Sequence, residues 1–183
     1  MPWRPNLSCK VISMPIDTLP DAEAQLATLA DRIRPHLTPD TALVGIHSGG
    51  AWIAERLRSL LGVSEATGTV DVSFYRDDFA AKGLHPQVKP SAIPFEVEGR
   101  PLILVDDVLY TGRTTRAAIN ELFDYGRPAR IDLAVLADRG ERELPIAPQF
   151  CVWDVQLGDG EELILGRQED GRLYWKLGGQ ERA

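Results

Sequence analysis

An Asp106-Asp107 pair lies just ahead of the run Tyr110-Thr-Gly-Arg-Thr-Thr115, and these residues carry the strongest chemical signal in this 183-residue chain. Adjacent carboxylates are good acceptors for the hydroxyls of a sugar. Gly112 permits a tight turn, and backbone N–H groups at the start of a following helix point outward toward an anion. The hydroxyls of Thr111, Thr114 and Thr115 add donors. A diol-binding pair thus sits beside a cradle for one phosphate, and a ribose 5-phosphate is the economical ligand. Two other readings exist: a solvated strand end with a helix cap, and an acidic metal pocket of the phospho-receiver kind. An isolated Asp pair favours the first of these, but its junction with Thr-Gly-Arg-Thr favours the sugar phosphate. A nucleotide P-loop is excluded, because no Gly-x-x-x-x-Gly-Lys precedes a Ser or Thr.

The elements around these residues alternate between helical and strand patterns. Leu26, Leu29, Ala30, Ile33 and Leu37 recur at three- and four-residue intervals, which predicts a helix from Asp21 to about Leu37, with Thr18 and Asp21 at its cap. Ala42–Ile46 reads as a buried strand, followed by the turn His47-Ser48-Gly49-Gly50 and a helix from about Ala51 to Leu61, stopped at Gly62. Thr69–Tyr75 alternates as a half-exposed strand. Residues 76–95 are charged and carry Gly83 and three prolines, a long connection that is functional or mobile when it occurs inside a domain. Pro101–Val108 is a strand ending in the two acids. Arg113–Tyr125 is a helix with Ala117, Ala118, Leu122 and Phe123 turned inward, ended by Gly126. Strands follow at Arg130–Ala137, Cys151–Val155, Leu163–Leu165 and Arg172–Leu177. This alternation of continuous apolar strands with helices predicts an α/β fold with a mostly parallel central sheet covered on both faces. Ligands in such folds bind beyond the carboxyl ends of the strands, where the Asp pair and the glycine turns stand.

Composition narrows the classes. Apolar residues make up 44% and charged residues 26%, as in a folded globular domain, and one domain over 1–183 is the expectation. The net charge of −7 argues against a protein coated for generic nucleic-acid binding. Cys9 and Cys151 are far apart and belong to no metal-binding spacing, so two free thiols are expected. The longest apolar runs, such as Ala42–Ile46 and Leu133–Ala137, fall far short of the ~20 residues of a membrane span. The amino-terminal residues have no hydrophobic signal core, and a cytoplasmic protein is expected.

The segment Val105-Asp-Asp-Val-Leu-Tyr-Thr-Gly-Arg-Thr114 closely resembles the phosphoribosyl-diphosphate-binding motif of the type I phosphoribosyltransferases. More narrowly, the chain is similar to the PyrR family of pyrimidine-operon regulators that are also uracil phosphoribosyltransferases. Leu43-Val-Gly-Ile46, Tyr75-Arg-Asp-Asp-Phe79, Gly126-Arg-Pro128 and Leu133-Ala-Val-Leu-Ala-Asp-Arg-Gly140, running into Arg142-Glu-Leu-Pro-Ile146, extend the resemblance over roughly residues 40 to 146. Superfamily members that act on purines commonly carry an acid where Tyr110 stands, so Tyr110 is consistent with a pyrimidine.

The resemblance implies a type I phosphoribosyltransferase fold with a flexible hood loop, about residues 76–95. It implies that Asp106 and Asp107 hold the ribose hydroxyls, and that Leu109, Tyr110, Thr111, Gly112, Arg113, Thr114 and Thr115 hold the 5-phosphate. His47, Ser48, Gly49 and Gly50 would receive the pyrophosphate together with Arg76. Asp138 and Arg139 would lie near the base or the leaving group. It further implies Mg²⁺ bound chiefly by the diphosphate substrate, uracil as the base, UMP or UTP as nucleotide ligands, RNA as a regulatory partner, and a homo-oligomer.

Two stretches depart from the family pattern. The pyrophosphate turn usually reads Lys-Thr-Arg-Gly, and here it is His47-Ser48-Gly49-Gly50, which loses two cations but keeps glycines able to form an anion nest. His47 is either a catalytic acid or simply a turn residue. Where the family commonly has Gly-Lys-Asn-Ile-Pro-Thr, this chain has Val152-Trp-Asp-Val-Gln-Leu157; Trp153 either stacks on the base or packs in the core. For RNA, the first helix offers only Arg32 and Arg34 against Asp21, Glu23 and Asp31. Arg127, Arg130, Arg139 and Arg142 are the remaining candidates for a basic patch. The enzyme ranks first. A non-catalytic nucleotide-sensing RNA regulator and a transferase for another base are the alternatives.

Overall fold

The structure, a computed structural model, describes residues 19–72 and 90–179. Thr18, Cys9, the end of the expected strand at 73–75, Arg76 and the hood through 89 lie outside the described residues.

Five strands form one wholly parallel sheet: β1 (Ala42–Ile46), β2 (Gly68–Val70), β3 (Pro101–Leu109), β4 (Arg130–Asp138) and β5 (Phe150–Asp154), in the order β2-β1-β3-β4-β5. Every residue of β1 is buried, as is Leu102 to Asp106 of β3, which explains their unbroken apolar runs. Helices α1 (Ala22–Ile33) and α2 (Gly49–Leu61) cover one face, where Leu26, Leu29, Ile33, Ile53 and Leu57 meet Leu43, Ile103 and Leu136. Helix α3 (Arg113–Asp124) covers the other, bringing Ala117, Ala118 and Leu122 against Val44, Leu104 and Val135.

Helix α1 begins at Asp21, whose carboxylate accepts the Glu23 N–H at 3.0 Å. It is shorter than its apolar periodicity predicts. Pro35 supplies no N–H and disfavours a helical residue before it, so the chain tightens into a 3₁₀ turn over Arg34–His36. Gly62, at φ 70°, ends α2 as expected. Phe123, expected inside, is 52% exposed. Thr115, Ala118 and Leu122 already form the inward stripe of α3, and Phe123 lies about 100° around the helix from Leu122.

Two further strands depart from the expected sheet. β6 (Glu161–Arg167) and β7 (Leu173–Gly179) pair with each other as an antiparallel hairpin and not with the five-stranded sheet. Leu163, Leu165, Leu173 and Trp175 face inward against the α1 side. Trp175 Nε1 donates to Gln25 Oε1 at 2.6 Å, and the Leu173 N–H donates to Glu23 Oε1 at 2.8 Å, fixing the hairpin to α1. Among the described residues, no helix is long and apolar enough to cross a membrane.

Candidate functional site

Strands β1 and β3 are neighbours, and their carboxyl ends carry both glycine turns. Pairing between them stops at Gly45–Val105, so Asp106 and Asp107 extend past the last β1 partner while β4 still supports them through Asp106–Val135. The space vacated by β1 is filled by the start of α2. A Cβ on Gly50 would fall 2.9 Å from Asp106 Cα and overlap the Val105 carbonyl, and one on Gly49 would overlap the Asp107 carboxylate. Gly49 and Gly50 are therefore the first turn of α2, not part of the preceding loop as the sequence predicts. Glycine is a poor helix former, but only glycine lets the helix approach β3 this closely. Gly45 serves the same approach, since its Cβ would meet Ala51 of the same helix.

Asp106 is 6% exposed, and its Oδ1 accepts the Asp107 N–H at 3.0 Å, which orients the pair. Asp107 is half-buried. On one side stands α2, with Ser48 in the cap position. On the other stands α3, with Gly112 in the cap position at φ 91°. Among the described residues, neither cap residue makes a side-chain hydrogen bond to its helix. Their leading N–H groups lack intrahelical carbonyl partners, and with the helix dipoles they present positive potential to a ligand beyond the sheet. The His47 N–H donates to the Val70 carbonyl at 2.9 Å, tying the turn to β2, and the His47–Ser48 peptide bond is cis.

The turn between β3 and α3 is held from two directions. The Arg113 N–H donates to Thr111 Oγ1 at 3.3 Å, and the Thr111 carbonyl accepts the N–H groups of Glu143 and Leu144 at 3.1 and 3.2 Å. Arg113 Nε reaches Glu143 Oε2 at 2.7 Å. Leu109 is buried, its carbonyl accepting the Arg139 N–H at 2.9 Å, while Thr114 is half-buried on the first turn of α3. Thr115 is 1% exposed and lines a cavity of about 220 Å³ beneath α3 with Leu104, Ile119 and Ile146. Its hydroxyl finds no hydrogen-bond partner among the described residues. The Thr115 side chain therefore faces the core, and only its backbone is available to a ligand beyond the sheet.

On the far side of β3, the Arg139 guanidinium lies over the Tyr110 ring at 4.1 Å from its centroid. Asp138 closes β4; its carboxylate accepts the Gly140 N–H at 2.8 Å and pairs with Arg142. Asp138, Asp154 and Cys151 bring ligand atoms within 4.8 Å of one another, with Asp138 already committed to Arg142. Trp153 does not join this cluster. It is 4% exposed, packs edge-to-face on Trp175 at 6.3 Å and belongs to the core under α1.

Part of the expected hood is fixed. Ala92 exchanges both backbone hydrogen bonds with Thr69 at 2.8 Å, Ser91 Oγ accepts the Asp71 N–H at 3.0 Å, and Ile93 and Phe95 pack on the α3-side core. The return limb from 91 to 95 is thus anchored on the β2 edge. Sequence reasoning gave Arg142 no role beyond the matching stretch and a surface patch; Asp138, Gly140 and Ile146 are close to it in the chain, but its bond to Tyr110 arises only by folding.

These features agree with comparisons to known proteins. The phosphoribosyl transferase domain model matches residues 15–159. Proteins named bifunctional protein PyrR are 52% identical in Pseudomonas paraeruginosa, covering 85% of this chain and 89% of that one, and 55% identical in Ralstonia nicotianae, covering 82% and 88%. Among solved structures, a purine phosphoribosyltransferase from Pyrococcus horikoshii superposes with a TM-score of 0.57 at 27% identity, covering 73% of this chain and 82% of that one. A Bacillus anthracis hypoxanthine-guanine phosphoribosyltransferase shares the fold, with a TM-score of 0.60 at 17% identity over 78% of this chain and 86% of that one. With its sheet, its paired acids and its two glycine-started helices accounted for, the chain belongs to the PyrR family within the phosphoribosyltransferases.

Proposed function

We propose that this phosphoribosyltransferase joins uracil to the ribosyl carbon of phosphoribosyl diphosphate, giving UMP and pyrophosphate. The observation that carries the reading is the Asp106–Asp107 pair set between the starts of α2 and α3. The carboxylates accept the two ribose hydroxyls. Residues 109–115 receive the 5-phosphate mainly through backbone N–H groups, and His47, Ser48, Gly49 and Gly50 receive the pyrophosphate, with Arg76 reaching it from the hood. Asp138 and Arg139 stand on the base side. Magnesium fits this donor set, because the half-buried Asp107 carboxylate is a hard oxygen donor and Mg²⁺ favours one or two carboxylates with substrate phosphates. When bound, the ion supplies charge neutralisation to the leaving pyrophosphate.

The bond from C1 to the pyrophosphate oxygen breaks through a cation-like sugar, and its electron pair leaves with the pyrophosphate. Uracil N1, having lost its proton, forms the new bond from the opposite face. The amides of α2 meet the developing charge of the leaving group, where fixed dipoles act without reorganising. A closed hood excludes the water that would hydrolyse the activated sugar.

The relatives' description as bifunctional supports a second, regulatory role, and RNA with UMP or UTP as the sensed nucleotide is the form we propose. The ranking stays with the enzyme. Of the arginines that form the candidate basic patch, Arg130 pairs with Asp132, Arg142 pairs with Asp138, and Arg139 covers Tyr110. A homo-oligomer is part of the same proposal, and sedimentation reads it directly.

The activity is tested by product formation from phosphoribosyl diphosphate and Mg²⁺ with uracil, cytosine, hypoxanthine and guanine in turn. UMP as the dominant product is expected. Turnover of a purine in preference to uracil contradicts the base assignment, and no turnover with any base contradicts the transferase.

A further inference from the structure

The Arg142 guanidinium makes four hydrogen bonds beside the site. Its Nε donates to the Ile146 carbonyl at 3.0 Å, one terminal nitrogen donates to the carbonyls of Tyr110 and of Gly140 (the latter at 2.9 Å), and the other pairs with the Asp138 carboxylate. The guanidinium offers five N–H donors in a rigid plane, and four bonds are used here: three within the stretch 138–146 to which Arg142 itself belongs, and one across to Tyr110. Tyr110 belongs to the turn assigned to the 5-phosphate. Asp138 and Gly140 belong to the turn assigned to the base side. Ile146 closes the segment that lies over Gly112, since a Cβ on that glycine would come 3.4 Å from Ile146 Cβ and 3.5 Å from Leu144 Cβ.

We infer that Arg142 is a positioning residue that fixes the phosphate turn and the base-side turn relative to each other. It touches neither substrate in this assignment and acts through Tyr110 and Asp138. The side chain is 21% exposed and its partner Asp138 15%, so the pair is sheltered enough for hydrogen-bond geometry to hold. The cross-strand bond from the Arg139 N–H to the Leu109 carbonyl sets the spacing of the two turns at their base, and Arg142 sets it at their tips. A transfer reaction needs the ribosyl carbon and the incoming nitrogen aligned within a few tenths of an ångström, so a loosened clamp is felt in the binding of both substrates.

The inference rests on the phosphoribosyl reading above. It is tested with Arg142→Gln and Arg142→Lys, and with Arg130→Gln as a control at the opposite end of β4. KM for phosphoribosyl diphosphate, KM for uracil, kcat, the UMP dissociation constant and thermal unfolding are measured for each. Arg142→Gln is expected to raise both KM values and the UMP constant about tenfold while the protein remains folded. Arg142→Lys keeps the charge but not the planar fork, and falls between the two. Arg130→Gln matches the parent. A folded Arg142→Gln with unchanged KM values overturns the positioning role, even if kcat falls, because a smaller active fraction alone lowers kcat without moving KM. If the glutamine variant does not fold, Arg142→Lys decides by the same criterion. A parent protein that neither binds UMP nor turns over contradicts the phosphoribosyl reading itself and this inference with it; a parent that does both, with unchanged constants in the variants, contradicts the clamp alone.

Discussion

Gly49 and Asp107 touch across the gap between α2 and β3, where a Cβ on the glycine would lie 2.6 Å from the Asp107 Cγ and 2.9 Å from its Cβ. The start of α2, proposed to meet the leaving group, and Asp107, proposed to hold the sugar, are therefore one packed unit. A ligand that meets the α2 amides also meets the Asp107 carboxylate, without any loop having to move to bring them together.

Alanine at the two neighbouring glycines separates packing from binding. At Gly50 the obstruction is the backbone of Val105 and Asp106, which cannot turn aside, so Gly50→Ala is expected to destabilise by about 1–3 kcal/mol or more. At Gly49 the closest obstruction is the Asp107 carboxylate, which can rotate away, leaving the contact with Asp107 Cβ at 2.9 Å to be relieved by a small shift of the helix start. Gly49→Ala is expected to stay folded with a smaller loss of melting temperature and to bind UMP at least tenfold more weakly. Thermal melting and UMP calorimetry on both variants check the contrast; equal effects of the two on melting and on binding contradict it.

Thr115→Val tests which way that side chain serves. The hydroxyl is buried without a partner among the described residues, and an unsatisfied buried polar group costs about 1–3 kcal/mol. Valine has nearly the same shape and is expected to leave the melting temperature unchanged or raised, with KM for phosphoribosyl diphosphate within about twofold. A large rise in KM would show that the hydroxyl, and not only the Thr115 backbone, reaches the ligand.

Trp153 is expected to matter for stability and not for base recognition. Trp153→Ala removes a ring packed on Trp175 and is expected to cost about 3–5 kcal/mol. Trp153→Phe keeps most of the packing and removes an unpartnered Nε1 donor. It is expected to fold, with KM for uracil within about twofold. A selective rise in the uracil KM of the phenylalanine variant contradicts the core assignment.

The site was most legible where one local pattern carried the whole signal. Leu102–Val105, the two acids and Gly112 lie within one strand, one turn and one helix start, so their types and order already imply the geometry. The start of α2 was not legible, because Gly49 and Gly50 read as a loop by propensity and become helix only through contact with β3. Phe123 misled for a simpler reason: it lies about 100° around the helix from Leu122, and the inward face that admits the small neighbours Ala117 and Ala118 does not extend to it. The β6–β7 hairpin has ordinary strand composition, and nothing in it states that its partner is α1 and not the sheet edge. Arg142 lies within a motif close to Asp138, Gly140 and Ile146, but no spacing relates it to Tyr110, the partner that ties its loop to the other turn.

The central claim is that Asp106 and Asp107, set between the starts of α2 and α3, hold the sugar from which the phosphoribosyl group is transferred. The most direct measurement is kcat/KM for phosphoribosyl diphosphate, with saturating uracil and Mg²⁺, for the parent chain, Asp107→Asn and Arg34→Ala. Asn keeps the size of the side chain and removes the charge, and loss of a charged hydrogen-bond acceptor is worth about 1.5–3 kcal/mol, roughly a ten- to hundredfold fall. Arg34 is an exposed residue at the end of α1, and its variant is expected to match the parent. An Asp107→Asn protein that forms UMP as efficiently as the parent would contradict the account.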